Sequence, residues 1–195
     1  MTTTALEGAD GRSRCPWARG EEYERYHDEE WGHPLHGDRA LFEKLSLEGF
    51  QSGLSWIVVL RKRPAFREVF DRFEPAAVAA FTGEDVERLL GDARIVRNRA
   101  KIEAVVANAR AVEALRAEHG DGALDRLVWD FAPEQPAPRP RSLDEVPART
   151  PGSAALSRAL KAAGLRFVGP VTAYALMQSA GLVDDHVAGC WRAAT

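Results

Sequence analysis

Cys15 and Cys190 are the only two cysteines of this 195-residue chain, and each has a histidine at a chemically useful distance. Cys15 is followed twelve positions later by His27, and His186 stands four before Cys190. A spacing of four brings two side chains onto one face of a helix. Two thiolates and two imidazoles make a tetrahedral zinc set, and a metal held by all four would clip the two ends of the chain together. Two other readings compete. A buried cysteine is often only a small hydrophobe, and zinc signatures usually show two tight ligand pairs where this chain has one. A Cys15–Cys190 disulfide is disfavoured, because the chain shows no secretory signal and is not cysteine-dense.

A second group lies in the first third of the chain. Trp17, Tyr23, Tyr26, Trp31 and Trp56 are a heavy aromatic investment, and Glu48 falls among them, between Leu47 and Gly49. Aromatic faces with one carboxylate suit a flat, cationic, hydrogen-bonding ligand, and a flipped nucleobase fits that description. The plainer alternative makes the tryptophans core and Glu48 surface.

A third feature lies near the C-terminus, where two helical patterns over about 153–180 flank Gly164-Leu165-Arg166-Phe167-Val168-Gly169. A hairpin of this kind presents backbone N–H groups at a helix N-terminus, where the dipole favours a phosphate. Arg158, Lys161 and Arg166 lie close by. An ordinary helical corner with glycine as its C-cap reads the same pattern.

The elements that must position these residues are helical nearly throughout. Asp38 is a plausible cap for Arg39–Leu47. Leu54–Arg61 is apolar, and Pro64 is read as opening a separate helix, Ala65–Phe73. Pro75–Ala80 and Glu84–Leu90 are short helices. Asn98–Leu115 carries Ile102, Val105, Val106, Ala109 and Val112 at helical period. Leu124–Phe131 is a short amphipathic piece, and Pro133–Arg141 is an extended linker. Ser153 is read as capping Ala154–Ala163, and Pro170 as opening the last long helix. No convincing alternating strand is present.

The expectation is an all-α fold. A disordered N-terminal tail occupies residues 1–12, and a single helical domain occupies 13–195. The 45% hydrophobic and 28% charged fractions are those of an ordinary globular protein. A net charge of −3 gives no global field toward nucleic acid, so any such binding needs a local basic patch. No stretch approaches the roughly 20 apolar residues of a membrane helix, and the expected location is the cytoplasm.

Six segments then occur in order: RCPW (Arg14–Trp17), YHDEEWG (Tyr26–Gly32), LEGFQSGLSW (Leu47–Trp56), RNRAKI (Arg97–Ile102), FVGP (Phe167–Pro170) and GLVDDHVAGC (Gly181–Cys190). Together they closely resemble the DNA-3-methyladenine glycosylase I family of bacterial base-excision repair enzymes, from about Arg14 to Cys190. The resemblance implies an all-α helix–hairpin–helix glycosylase fold whose zinc site joins the N- and C-terminal segments. It implies one structural zinc on Cys15, His27, His186 and Cys190, and a base-recognition carboxylate at Glu48. It implies stacking by Tyr26 and Trp56, with Tyr23, Trp31 and Trp17 shaping the pocket. Leu54 falls where the family places an apolar side chain into the DNA. Gly164, Phe167, Gly169, Arg166 and Lys161 fall on the hairpin that would hold the DNA backbone. The implied partner is double-stranded DNA containing alkylated adenine, with 3-methyladenine as product. No lysine is placed to suggest a Schiff base, so the enzyme is expected to lack a lyase step, and it is expected to be a monomer working at the nucleoid. Asp184 stands where the family more often has Asn. Asp184 and Asp185 are assigned no catalysis, and a supporting role beside His186 is expected. Competing functions are a non-enzymatic DNA-damage binder, a glycosylase of different range, and a zinc-stabilised helical protein binding a small cationic heterocycle.

Overall fold

The structure, a computed structural model, describes residues 4–194. Nine α-helices lie among these residues: α1 (Glu21–Glu29), α2 (Asp38–Gln51), α3 (Trp56–Val69), α4 (Pro75–Ala79), α5 (Gly83–Gly91), α6 (Arg99–His119), α7 (Ala123–Trp129), α8 (Pro151–Ala162) and α9 (Pro170–Ser179). Two short strands, β1 (Leu6–Glu7) and β2 (Ser13–Arg14), pair antiparallel. The fold is therefore mostly helical, as the periodicity of the apolar residues implies.

The core forms around α2 and α6. Leu41, Phe42, Leu45 and Phe50 of α2 meet Ile102, Val105, Val106 and Ala109 of α6, with Phe66, Phe70 and Phe73 filling one end. Nearly all of α2 is buried, including the polar Lys44, Ser46 and Glu48. Asn98 caps α6, its side chain accepting from the N–H of Lys101 at 3.1 Å. Among the described residues no helix is long and apolar enough to cross a membrane.

Three local expectations need correction. Pro64 does not open a new helix; α3 runs through it as one piece. Val59, Leu60, Phe66 and Val69, on both sides of the proline, are buried together, and that packing outweighs the roughly 3 kcal/mol an interior proline costs. The cap of α8 is Thr150, whose hydroxyl accepts from Ser153 N–H at 3.0 Å, with Pro151 at the first helical position. The segment read as a tail is folded back from Thr4 onward, and residues 1–3 lie outside the described residues. Besides the strand pairing, buried Arg14 grips Asp10 at 2.7 and 2.8 Å and Asp28 at 2.7 Å. A buried guanidinium needs such carboxylate partners, and Asp10 supplies one from within the supposed tail.

α8 and α9 pack against each other as a helical hairpin, joined by the segment 163–169. Gly164 takes φ +89°, a left-handed conformation that glycine adopts without penalty. The hairpin is pinned from inside by Ser157 Oγ, which donates to the Val168 carbonyl at 2.6 Å. Asn108 of α6 brackets the Arg166 peptide: its Oδ1 accepts from Arg166 N–H at 2.6 Å, and its Nδ2 donates to the Arg166 carbonyl at 3.0 Å.

Candidate active site and metal centre

Tyr23 and Tyr26 sit on α1, Glu48 near the end of α2 and Trp56 at the start of α3; Trp17 and Trp31 flank α1. All six line one cavity of about 330 Å³. The Tyr26 and Trp56 rings lie 5.4 Å apart and tilted by 44°. Trp17 packs edge-on against Trp31 at 5.1 Å and Tyr23 at 5.9 Å. The Tyr23 hydroxyl also accepts from Ile57 N–H at 3.0 Å, which satisfies one of the free amides opening α3. α3 has no side-chain cap of its own, so the pocket wall and the helix start support each other. The indole N–H of Trp56 is buried and without a protein partner.

The Glu48 carboxylate is buried and accepts from Ser179 Oγ of α9 at 3.1 Å. Burial pushes its pKa up to about 7, against the pull of nearby Lys44 and of the Ser179 hydrogen bond. Lys44 is the residue that pattern reading misses. It precedes Glu48 by one helical turn and is itself buried. Its ammonium lies behind the aromatic pair, 5.0 Å from the Tyr26 ring centroid and 5.9 Å from that of Trp56, and donates to the Tyr26 hydroxyl at 3.4 Å. It lines a second cavity on the far side, with Glu30, Arg63 and Ser179. The one available signal was a lysine at i−4 from a buried carboxylate on a helix with almost no solvent face. Asp185 also lines the main cavity, where it accepts from Tyr174 Oη at 2.6 Å and Gln178 Nε2 at 2.7 Å.

The cysteines and histidines meet at the other side of α1. Cys15, His27 and Cys190 bring their ligand atoms within 4.8 Å of one another, all buried, and could hold a metal ion. His27 Nε2 lies 3.3 Å from Cys190 Sγ, and its Nδ1 is 2.8 Å from Asp28 Oδ1. Trp191 Nε1 donates to Asp28 as well, at 3.1 Å. A carboxylate on Nδ1 fixes the tautomer that leaves Nε2 with a lone pair. The hydrogen bond between the two sulfurs pushes the Cys190 thiol down and the Cys15 thiol up.

His186 stands beside this trio, its ring 5.1 Å from that of His27. Its Nδ1 lies 2.8 Å from Asp184 Oδ1, and its Nε2 is buried without any partner. An orphaned imidazole nitrogen beside two thiols and a second imidazole fits a cation that all four would bind. Gly32, at φ +78°, makes room for the ring: a Cβ there would lie 2.6 Å from His186 Cε1. The spacing argument for this pair needs correction, because His186–Cys190 is not helical. It is a loop closed by Cys190 N–H donating to the Val187 carbonyl at 3.0 Å.

The remaining singled-out residues lie on two exposed loops, except Lys161, which is in the last turn of α8. Leu54 is 40% exposed on the turn between α2 and α3, and Phe167 is 43% exposed on the hairpin. Gly164, Lys161 and Arg166 are exposed and Gly169 half-buried. Phe167 takes φ +56°, a left-handed conformation strained for a bulky side chain.

Comparison with known proteins matches this architecture. A family model described as methyladenine glycosylase matches residues 17–193. The DNA-3-methyladenine glycosylase 1 of Escherichia coli (strain K12) is 48% identical over 179 residues, covering 91% of this chain and 95% of the relative. A crystal structure of 3-methyladenine DNA glycosylase I superposes with a TM-score of 0.86 at 47% identity, covering 91% of this chain and 98% of that one. A structure addressing 3-methyladenine recognition by the Staphylococcus aureus enzyme superposes with a TM-score of 0.83 at 34% identity, covering 89% and 92%. With the helical order, the aromatic–carboxylate cavity and these matches in agreement, the chain belongs to the methyladenine glycosylase family.

Proposed function

We propose that this protein is a base-excision repair hydrolase that cleaves the N-glycosidic bond of 3-methyladenine in double-stranded DNA and leaves an abasic site. The observation that carries the reading is the buried Glu48 carboxylate in one cavity with Tyr26 and Trp56. Methylation at N3 makes the adenine cationic. A desolvated aromatic face favours such a cation by roughly 1–2 kcal/mol over a neutral base. Glu48 accepts hydrogen bonds from the adenine edge and sets a negative charge near the cationic base and the oxocarbenium-like sugar. Tyr23, Trp31 and Trp17 shape the walls. As the glycosidic bond breaks, its electron pair passes to the base, which leaves neutral. Water adds to the sugar carbon and releases its proton.

Leu54 enters the gap left by the flipped nucleotide. The Gly164–Gly169 hairpin, with Phe167, Lys161 and Arg166, holds the DNA backbone, supplying the local basic patch that the net charge of −3 does not. No lyase step follows. Lys44, the lysine nearest the pocket, lies behind Tyr26 and Trp56 and is buried, out of reach of the sugar. Cys15, His27, His186 and Cys190 would hold one zinc ion in a structural role, tying the N- and C-terminal segments together. The enzyme works as a monomer in the bacterial cytoplasm, at the nucleoid.

Base release from duplex DNA treated with a simple methylating agent tests this reading. The protein is expected to free 3-methyladenine and leave 7-methylguanine in place. No release from folded, metal-loaded protein would instead make it a damage-binding module.

A further inference from the structure

Leu54 sits at the end of a four-residue turn. Its N–H donates to the Gln51 carbonyl at 2.6 Å, Ser52 takes φ −46° and ψ 116°, and Gly53 takes φ +80°. These are the values of a type II turn. Types I and II join the same end points and differ by a flip of the central peptide, here the one carrying the Ser52 carbonyl. Glycine at the third position tolerates both. Something else must choose the flip, and with it the direction in which Leu54 leaves the turn.

Lys101 contacts that carbonyl. Its ammonium donates to the Ser52 carbonyl at 2.5 Å and to the Phe50 carbonyl, in the last turn of α2, at 2.9 Å. It is 9% exposed, and no carboxylate lies within ion-pair distance of it among the described residues. Burial without a counter-ion weakens its hold on its proton. Its place on α6 is also unfavourable, since the first turn of a helix repels a cation. Both costs are met across the gap, where the free carbonyls at the C-terminus of α2 attract one. Two turns further along α6, Asn108 brackets the Arg166 peptide of the hairpin. One rigid helix thus reaches into both exposed loops, next to Leu54 and next to Phe167.

We propose that Lys101 is a positioning residue for base flipping: it locks the Ser52–Gly53 peptide so that Leu54 points into the DNA. The inference rests on Leu54 being the side chain that enters the duplex. A double-mutant cycle of Lys101→Met and Leu54→Ala tests it, read as excision of 3-methyladenine from duplex DNA and as binding of free 3-methyladenine. Each single variant is expected to lose about 10-fold or more in kcat/KM on DNA, and the double variant is expected to fall no further than Leu54→Ala alone. Free-base binding by Lys101→Met stays at the wild-type level, because the pocket is untouched, and Lys101→Arg recovers part of the loss. Additive losses, an unaffected Lys101→Met, or a parallel loss of free-base binding would overturn the role of Lys101 while leaving that of Leu54 standing. A Leu54→Ala variant that excises like wild type would overturn both. If Lys101→Met does not fold, Lys101→Arg carries the same cycle, since its planar fork alters the grip on the two carbonyls.

Discussion

If Glu48 acts on the base as proposed, its burial should make excision and stability respond to pH in opposite directions. Its pKa stands at about 7, raised from an ordinary 4.5 chiefly by burial. In the proposed mechanism Glu48 acts on the cationic base as an ionised acceptor. The charge of 3-methyladenine is fixed by its methyl group, so the substrate contributes no ionisation in this range. In kcat/KM, which reports the free enzyme, the ionised fraction falls from about 0.9 at pH 8 to about 0.1 at pH 6 for a group titrating near 7, a loss of nearly 10-fold. Folding has the reverse sign. A carboxyl whose folded pKa lies above its unfolded value favours the fold fully below about 4.5, and that contribution is lost as pH rises through about 7. A gap of that size is worth on the order of 3 kcal/mol. Glu48→Gln removes the ionisation altogether. It is expected to abolish the acidic limb, to excise poorly at every pH, and to unfold at a higher temperature than wild type at pH 8. Initial rates of 3-methyladenine release between pH 5.5 and 8.5, with thermal unfolding at the same values, measure all three. A wild-type profile flat from pH 6 to 8, or a Glu48→Gln variant that keeps the limb, would refute the claim that this carboxylate acts as a buried, ionised acceptor.

Other perturbations report on neighbouring parts of the structure. Lys44→Met removes the positive charge that opposes the rise in the Glu48 pKa, so the acidic limb of excision should move to higher pH, and an unmoved limb would show that Lys44 is electrostatically silent. Asp184→Ala takes the carboxylate from His186 Nδ1. It should weaken metal retention by about 10–100-fold in competition with a chelator, and retention equal to wild type would remove His186 from the ligand set. Asp38 accepts from both Gly122 N–H and Asp125 N–H at 3.0 Å and so holds the start of α7. Asp38→Ala is expected to cost about 1–2 kcal/mol in urea unfolding, with excision rate unchanged at 25 °C.

How much of this was legible in the sequence depended on how rare each residue type is and how far its partners lie along the chain. Two cysteines in 195 residues leave little choice of thiol ligand, and the aromatic cluster is drawn from a small set as well. Helical period gave α6 and most of α2, because apolar residues facing a core must recur on one side of a helix. Pro64 misled for the opposite reason: its local preference is real, but the burial of Phe66 and Val69 on the same face as Val59 overrides it. Lys44 and Lys101 were illegible because lysine defaults to solvent, and only the assembled fold takes that solvent away. Each then found a partner the sequence could not name. For Lys44 these are two aromatic faces and a hydroxyl; for Lys101, two carbonyls some fifty residues away. Asp10 and Arg14 follow the same logic, since a polar N-terminal segment reads as loose until a buried guanidinium needs its carboxylate. Residues that bear chemistry by type can be found from sequence, whereas those that position them act through long-range backbone and charge contacts that exist only once the chain has folded.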